Sequence, residues 1–128
     1  MIARSHAILE YMHVGATMTQ IRAKDQLVSR VFLSQDNRYV CWDIGQQGET
    51  EKLELESVKF IRVGQCTASF RKARNVAQYE RLSFSLIFGD TFSTLDLITQ
   101  RDDDYERWVE GLQSLVVGAA DRFDILEL

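Results

Sequence analysis

Hydrophobic and polar positions alternate most sharply in "SFSLIFGDTFSTLDLI", residues 83 to 98, on both sides of a Gly-Asp pair. Period-two alternation around such a pair predicts two strands, Leu82 to Phe88 and Thr91 to Thr99, joined by Gly89-Asp90 in a turn that takes positive φ. Upstream, the same period predicts a strand from Thr17 to Lys24, with Thr19, Ile21 and Ala23 on one face and Met18, Gln20, Arg22 and Lys24 on the other. "AKDQLVS" breaks the pattern and reads as a loop. "SRVFLS" and "RYVCWD" then give two strands around the turn "QDN", whose Asp and Asn tolerate tight-turn geometry. "IGQQGETE" is a polar loop, and "KLELESVKFIRVG" reads as one broken strand or two, divided at Ser57. "QCTASFRKARNVAQYER" is basic and irregular in period, which predicts a connection with one helical turn around Ser69 to Arg74.

The period changes near both ends of the chain. Ile8, Leu9 and Met12 share one face of a helix predicted from Ser5 to His13, with Gly15 just past its end in the position that favours glycine. Tyr105, Trp108, Leu112, Leu115 and Val116 share one face of a second helix. Asp103 and Glu106 have capping-box spacing at its start, the neighbouring acids suit the positive end of the helix dipole, and Gly118 marks its stop. About seven strands and one closing helix result, with Trp108 as a core residue that plugs one end of a bent sheet.

Composition narrows the function classes. The chain is long enough for one domain, and no stretch approaches the roughly 20 apolar residues of a bilayer span. The N-terminus lacks the pattern of a secretory leader, and Cys41 and Cys66, each in apolar strand-like surroundings, read as buried free thiols in a reducing compartment rather than as a disulfide. A net charge of −4 argues against general nucleic-acid binding. The charge is uneven: Lys59, Arg62, Arg71, Lys72 and Arg74 form a run with no acid, while acids crowd the segment from Asp102 to Glu127. No nucleophile elbow, phosphate loop or calcium loop occurs, and neither His6 nor His13 has metal-ligand spacing with a cysteine, so catalytic residues, cofactor and metal are all expected to be none.

The order of elements, with "RVFLSQDNRYVCW", "FIRVGQCTASF" and above all "FSLIFGDTFSTLDLI" followed by "YERWVEGLQSL", resembles the pleckstrin homology domain. Within that family it is most similar to the N-terminal domain of phosphoinositide-specific phospholipases C, and also to the domain preceding the repeats in plant proteins that carry a FYVE finger. The similarity runs from about Gly15 to Val117. It implies a mainly β (α+β) fold, a seven-stranded bent antiparallel barrel or sandwich capped by a C-terminal α-helix. Residues 1–14 then form a short accessory N-terminal helix, 15–118 the domain, and 119–128 an acidic tail or linker of a longer chain.

In the phospholipase subgroup a phosphoinositide headgroup sits at the open end, held by basic residues of the first two strands and their loop. Carried over by position, the first strand lysine becomes Gln20, the second basic position is Arg22, the loop tryptophan becomes Gln26 and the strand-two arginine is Arg30. A further arginine of the hairpin near Thr94 falls at Phe92. Lys24 shares the face of Arg22 and compensates for lost charge, whereas Asp25 works against it. The resemblance thus implies a non-catalytic, cytoplasmic domain recruited peripherally to anionic, phosphoinositide-bearing membranes through Arg22, Lys24 and Arg30. Gln20, Gln26, Lys59, Arg62, Arg71, Lys72, Phe92 and Thr94 form an accessory lipid or partner surface. The other reading is a protein-interaction module that presents a sheet edge, or the groove beside the closing helix, to a partner peptide.

Overall fold

The computed structural model describes residues 2–45 and 47–116. The elements run α1 (Ile2–Val14), β1 (Ala16–Ile21), β2 (Gln26–Leu33), β3 (Tyr39–Asp43), β4 (Thr50–Glu54), β5 (Val58–Val63), α2 (Ala68–Lys72), β6 (Ser83–Phe88), β7 (Ser93–Thr99) and α3 (Asp102–Leu115). Short 3₁₀ segments at Leu55–Ser57 and Ala77–Leu82 link β4 to β5 and α2 to β6. The strands form one antiparallel sheet in the order β4-β3-β2-β1-β7-β6-β5. The expected seven-stranded antiparallel sheet with a closing C-terminal helix and a short N-terminal helix is therefore present.

Alternation along the strands sets the core. Met18, Val31, Leu33, Phe84, Leu86 and Leu97 face inward and meet Trp108 and Leu112 of α3, all fully or almost fully buried. Trp108 is the plug its spacing predicts. Tyr105 and Leu115 pack at the margin of the same core, and the Tyr105 ring meets Phe84 edge-on at 6.4 Å.

α1 belongs to this core as well, through Ile8 and Met12. Its docking depends on two glycines. Gly15 ends α1 at φ +89°, and a Cβ there would stand 2.6 Å from the Val31 carbonyl oxygen. Gly111 faces α1 from α3, where a Cβ would collide with the Met12 sulfur.

A smaller cluster lies on the outer face of the sheet. Ile21 and Ile98 point outward but are covered by Phe70 and Val76 of the β5–β6 connection. Both faces of β1 near its C-terminal end are thus buried.

Several local expectations are corrected. β2 begins at Gln26, inside the segment that reads as a loop, because Gln26 and Val28 are exposed and leave no apolar alternation, while backbone pairing with β1 sets the strand. β1 stops at Ile21 because the Arg22 N–H donates to the Asp25 carbonyl at 3.0 Å and turns the chain. The β6–β7 connection spans four residues rather than two, with Gly89 at φ 75° and Phe92 at φ 55°. No capping box forms at α3: its N-cap is Arg101, with no side-chain cap, although Asp102, Asp103 and Asp104 do occupy its first turn. Cys41 is buried as expected, but Cys66 is exposed, since it falls in the β5–α2 loop and not in a strand. Gly118 and the tail from residue 119 lie outside the described residues.

Candidate functional site

The β1–β2 turn, Arg22 to Asp25, and α2 face each other across a groove of about 430 Å³. Lys24 and Arg22 line it from the turn, and Lys72 and Arg74 from α2 and the residues after it. Short-range sequence explains the turn; long-range packing explains the opposite wall. Phe70, 3% exposed, inserts against Ile21 and Ile98 and seats α2 on the outer face of the sheet.

A buried polar network fixes that wall. Thr67 is the N-cap of α2, its Oγ1 accepting from the Phe70 N–H. The same hydroxyl donates to Asp96 Oδ1 at 2.6 Å, as does Ser85 Oγ at 2.6 Å, while Thr94 Oγ1 donates to Oδ2 at 2.7 Å. Asp96 is 1% exposed, so these hydroxyls replace the water it loses. Thr94, expected on the binding surface, is half-buried on the outer face and bonded to this carboxylate. Nothing in the sequence signals this role for Asp96 beyond an acid at a position flanked by Leu95 and Leu97 in a strand.

Arg22 is already engaged. Its Nε and one terminal nitrogen donate to the two carboxylate oxygens of Asp25, both at 2.6 Å. These bonds hold the guanidinium above its ordinary pKa, with Glu51 adding a smaller effect, and hold the Asp25 carboxyl below the usual carboxylate range. The opposition of Asp25 is thus a direct two-point contact. Lys24 is exposed, with no hydrogen bond or ion pair seen among the described residues.

Arg30 lies elsewhere. It pairs across the strands with Thr17, toward the far end of β2 from the turn. Its guanidinium donates to the Val14 carbonyl at 3.1 Å, lies 3.5 Å from Asp43 and stacks 4.0 Å from the Phe32 ring centre. The structure brings Arg22 and Lys24 together with Lys72 and Arg74, and does not bring Arg30 to them.

The accessory positions also divide. Gln26 lines the groove. Gln20 is half-buried beside Leu27 and Leu97, and its Oε1 meets no donor among the described residues. Arg71 donates to the Cys66 carbonyl at 2.8 Å. Arg62 is half-buried in β5. Lys59 sits 3.5 Å from Asp90 and 5.2 Å from the centre of the Phe92 ring, which is exposed.

Among the described residues no three His, Cys, Asp or Glu side chains are grouped to hold a metal ion, and no helix is long and apolar enough to cross a membrane. A seven-stranded antiparallel sheet plugged by one C-terminal helix, with a basic groove beside its loops, defines the class of fold. Residues 5–117 match the family described as the Pleckstrin homology domain, and the chain belongs to that family. It is 29% identical to the mouse (Mus musculus) inactive phospholipase C-like protein 1, over 98% of this chain but 12% of that protein. It is 25% identical to the rat (Rattus norvegicus) 1-phosphatidylinositol 4,5-bisphosphate phosphodiesterase delta-1, over 84% of this chain and 15% of that protein. The chain therefore spans only about an eighth of the length of the curated relatives it matches first. Among solved structures, S. officinalis PLC21 superposes with a TM-score of 0.68 at 13% identity, covering 84% of this chain and 16% of that one. Inner Membrane Complex sub-compartment protein 1 from Toxoplasma gondii superposes with 0.67 at 11% identity, covering 91% and 94%.

Proposed function

We propose that this domain recruits its chain to the cytoplasmic face of anionic membranes by holding phosphorylated lipid headgroups in the groove between the β1–β2 turn and α2. The observation that carries the reading is the convergence of Arg22, Lys24, Lys72 and Arg74 on one groove, from segments about 50 residues apart. Adjacent phosphates carry dense negative charge, which Arg meets with forked hydrogen bonds and Lys with a point charge. Asp25 holds Arg22 in reserve, so a phosphate competes with a carboxylate for the same donors. Binding is accordingly of moderate strength and depends on several cations at once, each worth about 1 kcal/mol near an anionic surface. A relative that is named for a phosphoinositide substrate, the phosphodiesterase delta-1, is consistent with this ligand class.

Protein recognition is the second reading. Among the described residues β4 stands at one margin of the sheet, paired with β3, and a strand of a partner would add there.

Co-sedimentation with phosphatidylcholine vesicles, with and without phosphatidylinositol bisphosphate, tests the first reading and separates it from the second. Wild type is expected to bind the anionic vesicles selectively, and Lys72→Glu/Arg74→Glu to lose affinity by about tenfold or more, since two attractive charges become repulsive. Equal binding by that variant, with its fold intact by circular dichroism, would remove the groove from the mechanism. Failure of wild type to bind any anionic vesicle would favour protein recognition.

A further inference from the structure

Phe92 is 55% exposed and holds φ at 55°. Left-handed backbone is rare for a bulky aromatic residue, and a large apolar side chain at a hairpin tip contributes little to folding. Both features would be relieved by glycine or asparagine, so the residue here is held against a local preference.

Its surroundings say what it faces. The Phe92 ring stacks on half-buried Phe60 at 6.2 Å with 27° between the planes, and Lys59 Nζ lies 5.2 Å from its centre. An aromatic platform with a cation beside it matches the boundary between lipid tails and phosphates. The carboxylate of Asp90 stands at the same tip, 3.5 Å from Lys59. The tip is also on the correct side of the molecule. Ile21 at the end of β1 pairs with Asp96 in β7, and β7 runs antiparallel to β1. The β6–β7 turn therefore leaves the sheet from the same end as the β1–β2 turn that carries Arg22 and Lys24.

We infer that Phe92, backed by Phe60, enters the interfacial layer of an anionic bilayer while the neighbouring groove engages phosphate. This rests on the lipid reading of the groove and adds a second, apolar point of attachment. The ring stays stacked on Phe60 while remaining exposed at the tip, and Lys59 offsets Asp90 beside it.

The test compares vesicles with soluble headgroup. Wild type, Phe92→Asn and Phe92→Leu are titrated with mixed phosphatidylcholine and phosphatidylserine vesicles containing phosphatidylinositol bisphosphate, and separately with inositol trisphosphate by calorimetry. Asparagine suits the left-handed backbone, so the hairpin stays formed. Phe92→Asn is expected to lose about tenfold in vesicle affinity, from a partly inserted aromatic ring, with headgroup affinity unchanged. Phe92→Leu should retain most vesicle binding. Vesicle binding by Phe92→Asn equal to wild type would overturn the inference and leave the groove standing. An equal loss toward inositol trisphosphate would also overturn it, by placing Phe92 in headgroup binding. If wild type binds neither vesicle nor headgroup, the lipid reading itself fails and this inference falls with it.

Discussion

Asp25 stands between Arg22 and any incoming phosphate. The pair is exposed, and exposed pairs of this kind contribute little to stability, so removing the carboxylate frees Arg22 at little cost to the fold. Asp25→Asn is expected to raise affinity for anionic vesicles by about two- to fivefold, measured by co-sedimentation beside wild type. The pH dependence has a definite sign. Because the folded carboxyl titrates below its unfolded value, the stabilisation from this pair is complete above the ordinary carboxylate range and is lost as pH falls through the lowered value. Wild type should therefore approach the affinity of Asp25→Asn only on strong acidification, and the variant should lack that response. Thr94 was legible as a polar residue beside the turn; its commitment to buried Asp96 was not, because the donors come from Thr67 and Ser85, one of them from the connection on the outer face.

At the scale of elements, α1 is held by complementarity with α3. Met12 is fully buried and occupies the space that a side chain at Gly111 would need. Gly111→Val is expected to destabilise the fold by about 1 to 3 kcal/mol through overpacking, read from urea denaturation. Adding Met12→Ala should recover part of that loss, since residues in contact couple by about 0.5 kcal/mol or more. The strands of this fold were readable where one face is buried and the other wet, as in β6 and β7, and in the aromatic stripe of α3. Elements with a different logic were not. β2 begins with exposed residues, and the 3₁₀ segment Ala77–Leu82 has no buried side chain to give it a period. The groove was half legible: Arg22 and Lys24 lie in one short turn, but Lys72 and Arg74 reach it only because Phe70 and Val76 fold a distant connection onto Ile21.

At the scale of the whole molecule, the basic groove lies toward one end of the strands. The groove and the Phe92 tip lie at the end of the sheet where β7 starts, and the acids of Asp102 to Asp104 begin α3 where β7 has ended. An anionic surface attracts the groove cations, while Asp102, Asp103 and Asp104 each face an arginine, so the orienting force comes from the groove end. Attraction of this kind weakens with salt. Raising ionic strength from about 0.1 M to about 1 M shortens the screening length from roughly 10 Å to roughly 3 Å, and vesicle affinity should fall by about tenfold or more while the thermal midpoint of unfolding moves little. A salt-independent affinity in co-sedimentation would count against charge as the orienting force.

The sheet order also sets a timetable for folding. β1 to β4 pair as chain neighbours, and so do β5 to β7; in the strand order the two meanders join along the seam between β1 and β7. That seam brings Met18 against Thr99, so it forms only once nearly the whole described chain is available. Closing so long a loop costs entropy before any contact repays it, which places this domain among slowly folding topologies. Until the seam forms, β1 presents an open edge to any other strand in reach, and the last strand to be made is the one that removes this hazard.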